Sequence, residues 1–276
     1  MANIDVYGEF ETSWCPGCGN FSILKSLKEA LAELDIPPHK LMVSSGIGQA
    51  AKMPHYINCH MFNGLHGRSL PVAQGMKMAN PEMTVVCVSG DGCSYGEGGN
   101  HFTAAIRRNL DVTLLVHNNQ IYGLTKGQAS PTTARGHVTK AQPDGAASDA
   151  FNPVAVAIAQ KAGFVARAFS GEPEHLVGTI KAAIEHDGFS LVDILQPCVS
   201  FNKINTFSWY KERAYILDNH DETDWCAALM KAGEFPDRIP LGVLYRKMEP
   251  HNGDGVLLAK HEYAKSDLKE LLQSFA

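Results

Sequence analysis

No apolar run in this 276-residue chain reaches the roughly 18 residues that a bilayer-spanning helix needs, so no membrane segment is expected. Basic residues form no stripe. The 24 Lys and Arg stand against 29 Asp and Glu, a formal charge of −5, which argues against a nucleic-acid partner. The opening Met1-Ala2-Asn3-Ile4-Asp5 has neither a charged n-region nor an apolar h-region, so no secretion signal is expected. Seven cysteines, unevenly spaced, make no disulfide framework. They suit a reducing cytoplasm and metal or cluster ligation, and a cytoplasmic location is the expectation. There is no second CxxC to complete a zinc knuckle, and no CxxCxxCxxxCP run of the kind that binds further clusters. Repeats and low-complexity segments are also missing. What remains is an ordinary globular composition, 45% hydrophobic, in a chain long enough for one large domain or two small ones.

The first 200 residues alternate strand-like apolar runs with helical patterns. Strands are predicted at Leu41–Ser44, Thr84–Ser89, Val112–His117, Phe164–Ala168 and Leu191–Leu195. Helices are predicted at Asn20–Leu34, Leu70–Met78, Gly99–Arg108, Pro153–Ala162 and Glu174–His186. Such alternation predicts an α/β fold with a doubly wound, mostly parallel sheet, its ligand site off the carboxyl edge of the strands. Composition shifts near residue 200: residues 201–276 hold 22 charged side chains against 31 in the preceding 200. With Pro236, Pro240 and Pro250 and an acidic run from Asp218 to Asp224, this tail reads as an irregular C-terminal extension. It is expected to close with a short helix from Glu262 to Leu272 and to pack on the main domain or a partner subunit.

The most informative stretch is Gly90-Asp91-Gly92, then 25 residues, then Asn118-Asn119. A buried parallel strand leads into the first element, a second run (Val112 to Val116) leads into the Asn pair, and Gly98-Gly99-Asn100 opens a helix between them. That order puts a carboxylate and an amide oxygen at the crest of a parallel sheet beside a helix start. Hard oxygens there suit Mg²⁺, and glycines let backbone N–H groups approach a diphosphate. Asp-Gly alone is a common turn dipeptide, but its pairing with Asn-Asn after a strand-length run is not explained by a turn.

A second constellation is Trp14-Cys15-Pro16-Gly17-Cys18-Gly19, two thiols in a Pro/Gly knuckle. Four readings stand on the residues alone. A zinc knuckle lacks its second ligand pair, and a thioredoxin-like redox pair sits at a strand-to-helix turn of another architecture. A [4Fe–4S] cluster would draw its other thiolates from distant parts of the chain, and the last reading is two buried free cysteines.

WCPGCG, GLHGR at 64–68, the GDG…NN unit, the segment Ile121 to Gln128 (IYGLTKGQ) and Gln196-Pro197-Cys198 occur here in that order. Together they resemble the β subunit of the 2-oxoacid:ferredoxin oxidoreductases, specifically the 2-oxoglutarate branch, over about residues 10 to 205. The resemblance implies the thiamine-diphosphate-binding fold (its diphosphate-binding domain, residues 1–200) and three cofactors: thiamine diphosphate, Mg²⁺ and a [4Fe–4S] cluster. The expected reaction is reversible, CoA-dependent oxidative decarboxylation of 2-oxoglutarate to succinyl-CoA and CO₂, with electrons passed to ferredoxin. Thiamine diphosphate stores the electron pair released with CO₂, and a cluster on the same chain accepts single electrons. The alternatives are a pyruvate or broad-range enzyme, or a non-oxidative decarboxylase subunit whose CxxC is a relic or zinc knuckle. An α subunit is expected to supply the pyrimidine-binding domain with its activating glutamate, in an α₂β₂ assembly.

By the same resemblance Asp91, Asn119 and the Ile121 carbonyl hold Mg²⁺. Ile47, Gly48, Gly67, Gly90, Gly92, Cys93, Gly123 and Leu124 complete the cofactor site, and Asn118 secures the turn. Cys15, Cys18 and Cys198 match three cluster cysteines. The family's remaining cysteine sits in an SGIGC stretch that here reads Ser45-Gly46-Ile47-Gly48-Gln49, so that ligand is absent. Cys59 is expected in its place, with Cys93 or a non-cysteine or missing ligand as the other possibilities. Lys52 is expected to pair with the distal carboxylate of the substrate. Leu124 is expected to wall the pocket, and Lys126 to meet substrate or an acidic α-subunit group. His66 is expected beside the thiazolium as a hydrogen-bond or proton donor. His60, His101 and His117 are read as structural.

Overall fold

The computed structural model describes residues 3–248 and 273–274. In chain order the main elements begin with α1 (Asn20–Glu33), β1 (Leu41–Ser45), β2 (His60–Asn63), α2 (Ser69–Ala79) and β3 (Thr84–Gly90). They continue with α3 (Gly99–Arg108), β4 (Thr113–Asn118), α4 (Pro153–Ala159), β5 (Phe164–Phe169), α5 (Pro173–Glu185) and β6 (Ser190–Leu195). The chain then forms α6 (Phe207–Arg213), β7 (Ala214–Ile216), α7 (Trp225–Gly233) and β8 (Ile239–Arg246). Local signals fix several boundaries. Asn152 accepts from the Ala155 N–H to cap α4, which opens on Pro153, and Asp224 caps α7 through the Ala227 N–H. Asn109 ends α3 in the left-handed conformation.

Eight strands form one sheet in the order β2-β1-β3-β4-β6-β5-β8-β7. The six from β2 to β5 run parallel, and every side chain of β4, β5 and β6 is buried, as a sheet covered on both faces requires. Alternate strand residues divide between two cores. Val43, Val86, Leu115 and Val192 pack with Leu27 and Leu31 of α1 and Ile180 of α5. Val85, Leu114, Val165 and Leu191 pack with Leu70 of α2, Phe102 of α3, Ile158 of α4 and Ala228 of α7. From β1 the chain turns outward to β2, whereas from β3 it turns the other way to β4. The strand order therefore reverses between β1 and β3, and a crevice opens there at the carboxyl ends.

The five predicted strands and five predicted helices of the first 200 residues are present, with boundaries shifted by at most three residues. The reading of the tail as irregular is corrected: α6, β7, α7 and β8 are regular, and β8 joins the sheet antiparallel to β5. The prolines of the tail, Pro240 among them, had suggested breaks. Pro240 stands at the second position of β8, and Gly242, at φ +130°, lies beside a bulge where the ladder with β5 shifts register. The helix expected at Glu262–Leu272 lies outside the described residues. Strand β2 was not foreseen, because all four of its residues are exposed and carry no alternation.

Beneath the crevice, Arg167 of β5 and Asp193 of β6 are register partners, each 2% exposed. Asp193 accepts from the Tyr95 hydroxyl (2.9 Å) and from the Asn118 amide (3.1 Å). Arg167 stacks on the Phe235 ring at 5.0 Å, tying the tail to the sheet. Removing one partner strands a buried charge. Arg167→Ala is expected to cost about 3–5 kcal/mol in urea unfolding, and Arg167→Ala/Asp193→Ala together less than the sum of the single changes. Additive losses would show that the two charges do not interact.

Candidate active site

The crevice between β1 and β3 holds a cleft. The turn after β1 gives it Ile47 and Gly48, the turn after β3 gives Gly90, Asp91, Gly92 and Cys93, and the segment after β4 gives Asn119, Ile121, Gly123 and Leu124. His66 also lines it. Ten of the eleven expected cofactor residues thus meet in one place. Gly67 stands just behind, its N–H donating to Cys93 Sγ (3.1 Å). Its φ of +68° and the backbone of Glu97 and Gly98, 2.5 Å from where a Cβ would sit, exclude any larger residue. Cys93 also receives the Ile47 N–H (3.4 Å), so one thiol ties together three turns of the crest. Lys52 and Lys126 do not line the cleft. Lys52 donates to the Ser13 hydroxyl at 3.0 Å, and Lys126 is exposed in a turn at φ +82°.

Asp91 is 2% exposed. Ser130 and Thr132 hydroxyls donate to its Oδ2 at 2.5 and 2.7 Å. Burial pushes its carboxyl up to about 6, while those hydroxyls pull the other way. Thr132 also bonds Asn118 Oδ1 (2.9 Å), and the Asn118 amide reaches Asp193, so Asn118 locks β4 to β6 and to the loop. Asn119 Oδ1 accepts the Ile121 N–H at 3.1 Å, with Gln120 between them at φ +58°. Asp91, Asn119 and the Ile121 carbonyl are hard oxygen donors facing one cleft, a donor set that fits a hard dication.

A second pocket adjoins the first. Cys15, Cys18 and Cys198 line it, together with Trp14, Asn20 and Gln196. Gln49, Asn119 and Gly123 line both pockets and so form the wall between them. Burial raises the Cys18 thiol, and the neighbouring Cys198 and Cys15 raise it further. Gln196 Nε2 donates to Cys18 Sγ and the Ser200 hydroxyl to Cys15 Sγ, each at 3.2 Å. Among the described residues no three His, Cys, Asp or Glu side chains converge on a single-ion site. The three thiols instead ring a cavity, an arrangement suited to a polynuclear group.

Cys59 does not belong to this set. It immediately precedes β2, at the amino edge of the sheet, where it lines another cavity with Phe10 and His39. The length of β2, about 13 Å at 3.3 Å per residue, separates it from the catalytic edge. Ten residues of sequence between Gln49 and Cys59 suggested proximity, but the intervening turn carries the chain back across the sheet. Ser130 and Thr132 were missed: their loop, residues 119–152, has no periodicity, and Ser-Pro-Thr-Thr signals only a turn. His117, read as structural, lines the cleft. Its Nδ1 pairs with Asn20 Oδ1 at 2.7 Å, and burial lowers it to about 3, so the ring is neutral.

The geometry has counterparts in known proteins. Residues 40–194 match the model of the thiamine pyrophosphate enzyme C-terminal TPP-binding domain. Residues 198–256 match that of the C-terminal part of the pyruvate ferredoxin oxidoreductase β chain. The chain is 47% identical to the β subunit of 2-oxoacid:ferredoxin oxidoreductase 1 from Aeropyrum pernix, over 86% of this chain and 78% of that one. It is 42% identical to the 2-oxoglutarate oxidoreductase subunit KorB of Mycobacterium tuberculosis, over 72% of this chain and 53% of that one. A solved 2-oxoglutarate:ferredoxin oxidoreductase from Magnetococcus marinus, with 2-oxoglutarate, coenzyme A and succinyl-CoA bound, superposes with a TM-score of 0.90. It is 35% identical and covers 99% of this chain and 91% of that one.

The raised Asp91 carboxyl carries a stability signature. The folded, cofactor-free chain holds this proton more tightly than the unfolded chain does, from an ordinary value of 3.8 up to about 6. Its contribution is therefore full below about pH 4 and is lost as pH rises through 6, about 3 kcal/mol in all. Asp193, also raised by burial, acts in the same direction. Urea midpoints of the cofactor-free chain are expected to fall across that window, and Asp91→Asn to flatten the fall. An Asp91→Asn profile as steep as the wild type would contradict the assignment.

Proposed function

Because the chain belongs to the β subunits of the 2-oxoacid:ferredoxin oxidoreductases, a family of oxidoreductases whose β subunits hold a thiamine-diphosphate-binding domain, we propose that it serves a 2-oxoglutarate:ferredoxin oxidoreductase. The reaction is 2-oxoglutarate and CoA to succinyl-CoA and CO₂, with two electrons delivered to ferredoxin. One observation carries this reading: the cleft with the diphosphate motif and the pocket with three thiols share a wall of Gln49, Asn119 and Gly123. A non-oxidative decarboxylase has no use for a thiol-lined pocket at that place.

When bound, thiamine diphosphate supplies the electron sink for decarboxylation, and a [4Fe–4S] cluster supplies a one-electron acceptor. The chain's own groups have these parts. Asp91, Asn119 and the Ile121 carbonyl hold Mg²⁺, and Ser130 and Thr132 aim the Asp91 carboxylate while keeping it from water. The glycine-rich turns after β1 and β3 admit the diphosphate to the backbone. Neutral His117, fixed by Asn20, presents an uncharged ring to the cleft, and exposed His66 at the rim donates a hydrogen bond to a developing oxyanion. Cys15, Cys18 and Cys198 ligate the cluster. Leu124, 42% exposed, walls the mouth of the cleft. Lys52 leaves the Ser13 hydroxyl to meet the distal carboxylate, and Lys126 faces substrate or an acidic group of the α subunit.

The activating glutamate and the pyrimidine-binding domain come from that α subunit, and an exposed apolar rim supports a seat for it here. Exposed Met61, Phe62 and Leu65 follow edge strand β2 toward His66 at the cleft. These residues form an apolar rim beside a half-built site. Among the described residues no helix is long and apolar enough to cross a membrane.

The Aeropyrum and Sulfolobus relatives are named for 2-oxoacids in general, which favours a broad-range enzyme as the second reading. Substrate preference separates the two. Losing a charge-assisted bond of about 1.5–3 kcal/mol should lower kcat/KM for 2-oxoglutarate about 10- to 100-fold in Lys52→Ala while sparing pyruvate. An equal change for both oxo acids would defeat the role given to Lys52.

A further inference from the structure

On the cluster reading above, the thiol pocket offers three sulfurs to a group that has four corners. The other cysteines are elsewhere. Cys59 is at the far edge of the sheet, Cys93 is held between two backbone N–H groups, Cys87 is buried within β3, and Cys226 is exposed in α7. Gln49 lines the pocket. Its backbone carbonyl accepts from Trp14 Nε1 at 2.8 Å, which fixes it against the Cys15–Cys18 knuckle. Its side-chain Oε1 is buried and has no hydrogen-bond partner. An orphaned buried amide oxygen is destabilising, and a cation placed against it removes that penalty.

Apart from the Gln196 oxygen, the other polar groups of the pocket are committed. Gln196 has its own unpaired oxygen, but its amide nitrogen already donates to Cys18 Sγ, and its side chain lies toward His117. The Ser200 hydroxyl donates to Cys15 Sγ. Both are donors to cysteine sulfur. Asn119 is already assigned to Mg²⁺ and its Oδ1 also accepts the Ile121 N–H, while Asn20 Oδ1 pairs with His117.

We propose that Gln49 Oε1 is the fourth donor, giving a cluster held by three thiolates and one neutral amide oxygen. The corner iron on Gln49 then differs from its three neighbours. An amide oxygen is a harder, weaker ligand for iron than thiolate, so this corner exchanges readily. It also removes one negative charge from the ligand set, which raises the reduction potential relative to a four-thiolate cluster. One-electron oxidation by ferricyanide, itself reduced to ferrocyanide, takes [4Fe–4S]²⁺ to [4Fe–4S]³⁺. That species sheds Fe²⁺ from the oxygen-bound corner and leaves [3Fe–4S]⁺, with charge conserved.

The test uses the intact complex with its α subunit, iron-57-enriched and purified without air. Mössbauer spectra, the reduction potential and chelator-trapped Fe²⁺ after one equivalent of ferricyanide are compared in wild type, Gln49→Cys and Gln49→Leu. The wild type should show one distinct iron that is released first. Gln49→Cys should make the four irons alike, lower the potential and slow release at least about 10-fold. Gln49→Leu should alter the distinct iron's spectrum and speed its loss. Four like irons in the wild type, or a Gln49→Leu complex with wild-type spectrum and release, would overturn this inference while leaving the cluster reading intact. Absence of iron from every variant would instead overturn the cluster reading on which it rests.

Discussion

The end of strand β4 sets the distance between the two pockets, and the rest of the site depends on it. Asn118 is anchored inward, to Asp193 on β6 and to Thr132 of the following loop, so the chain leaves the sheet in a fixed direction. Asn119, next along, emerges between the cleft and the thiol pocket and lines both. The positive φ of Gln120 then turns the chain so that Ile121 lines the cleft and Gly123 continues the shared wall. Were this strand end free to shift, neither the oxygen donors nor the thiols would keep a common frame.

Beneath that frame lies an electrostatic arrangement that a cofactor-free chain tolerates poorly. Asp91 and Asp193 are both buried, and Arg167 is the only fully buried cation among the described residues to offset them. Hydroxyls from Ser130, Thr132 and Tyr95 spread the remaining charge. The crest is thus built to receive positive charge at Asp91, in the manner of sites whose ligand completes their electrostatics. The thiol pocket repeats the pattern with sulfur, since the raised Cys18 thiol loses its proton when a metal group binds.

Much of this was legible in the residues. The doubly wound sheet followed from alternating apolar runs, and the cleft from GDG and Asn-Asn at the ends of adjacent strands, because parallel strands bring their carboxyl ends together whatever separates them in sequence. Two kinds of feature were not legible. Cys59 looked close to Gln49, yet the segment between β1 and β2 carries the chain back to the amino edge of the sheet before Cys59. Ser130 and Thr132 lie in a loop whose path is set only by the carboxylate they bind. The tail showed prolines and charge where the structure has a strand, since β8 hides Pro240 near its start and Gly242 beside a bulge. Gln49 was visible as a departure from the family pattern, but its buried, unpartnered oxygen is not.

The central claim is that thiamine diphosphate and iron share this polypeptide across one wall. It is tested most directly by measuring thiamine, iron and acid-labile sulfide in the complex purified without air, before and after Cys198→Ala. Thiamine and iron are expected together in the native complex, and in the variant thiamine retained with the iron and sulfide of this chain lost. Thiamine with no iron on this chain, or iron unaffected by Cys198→Ala, would contradict it.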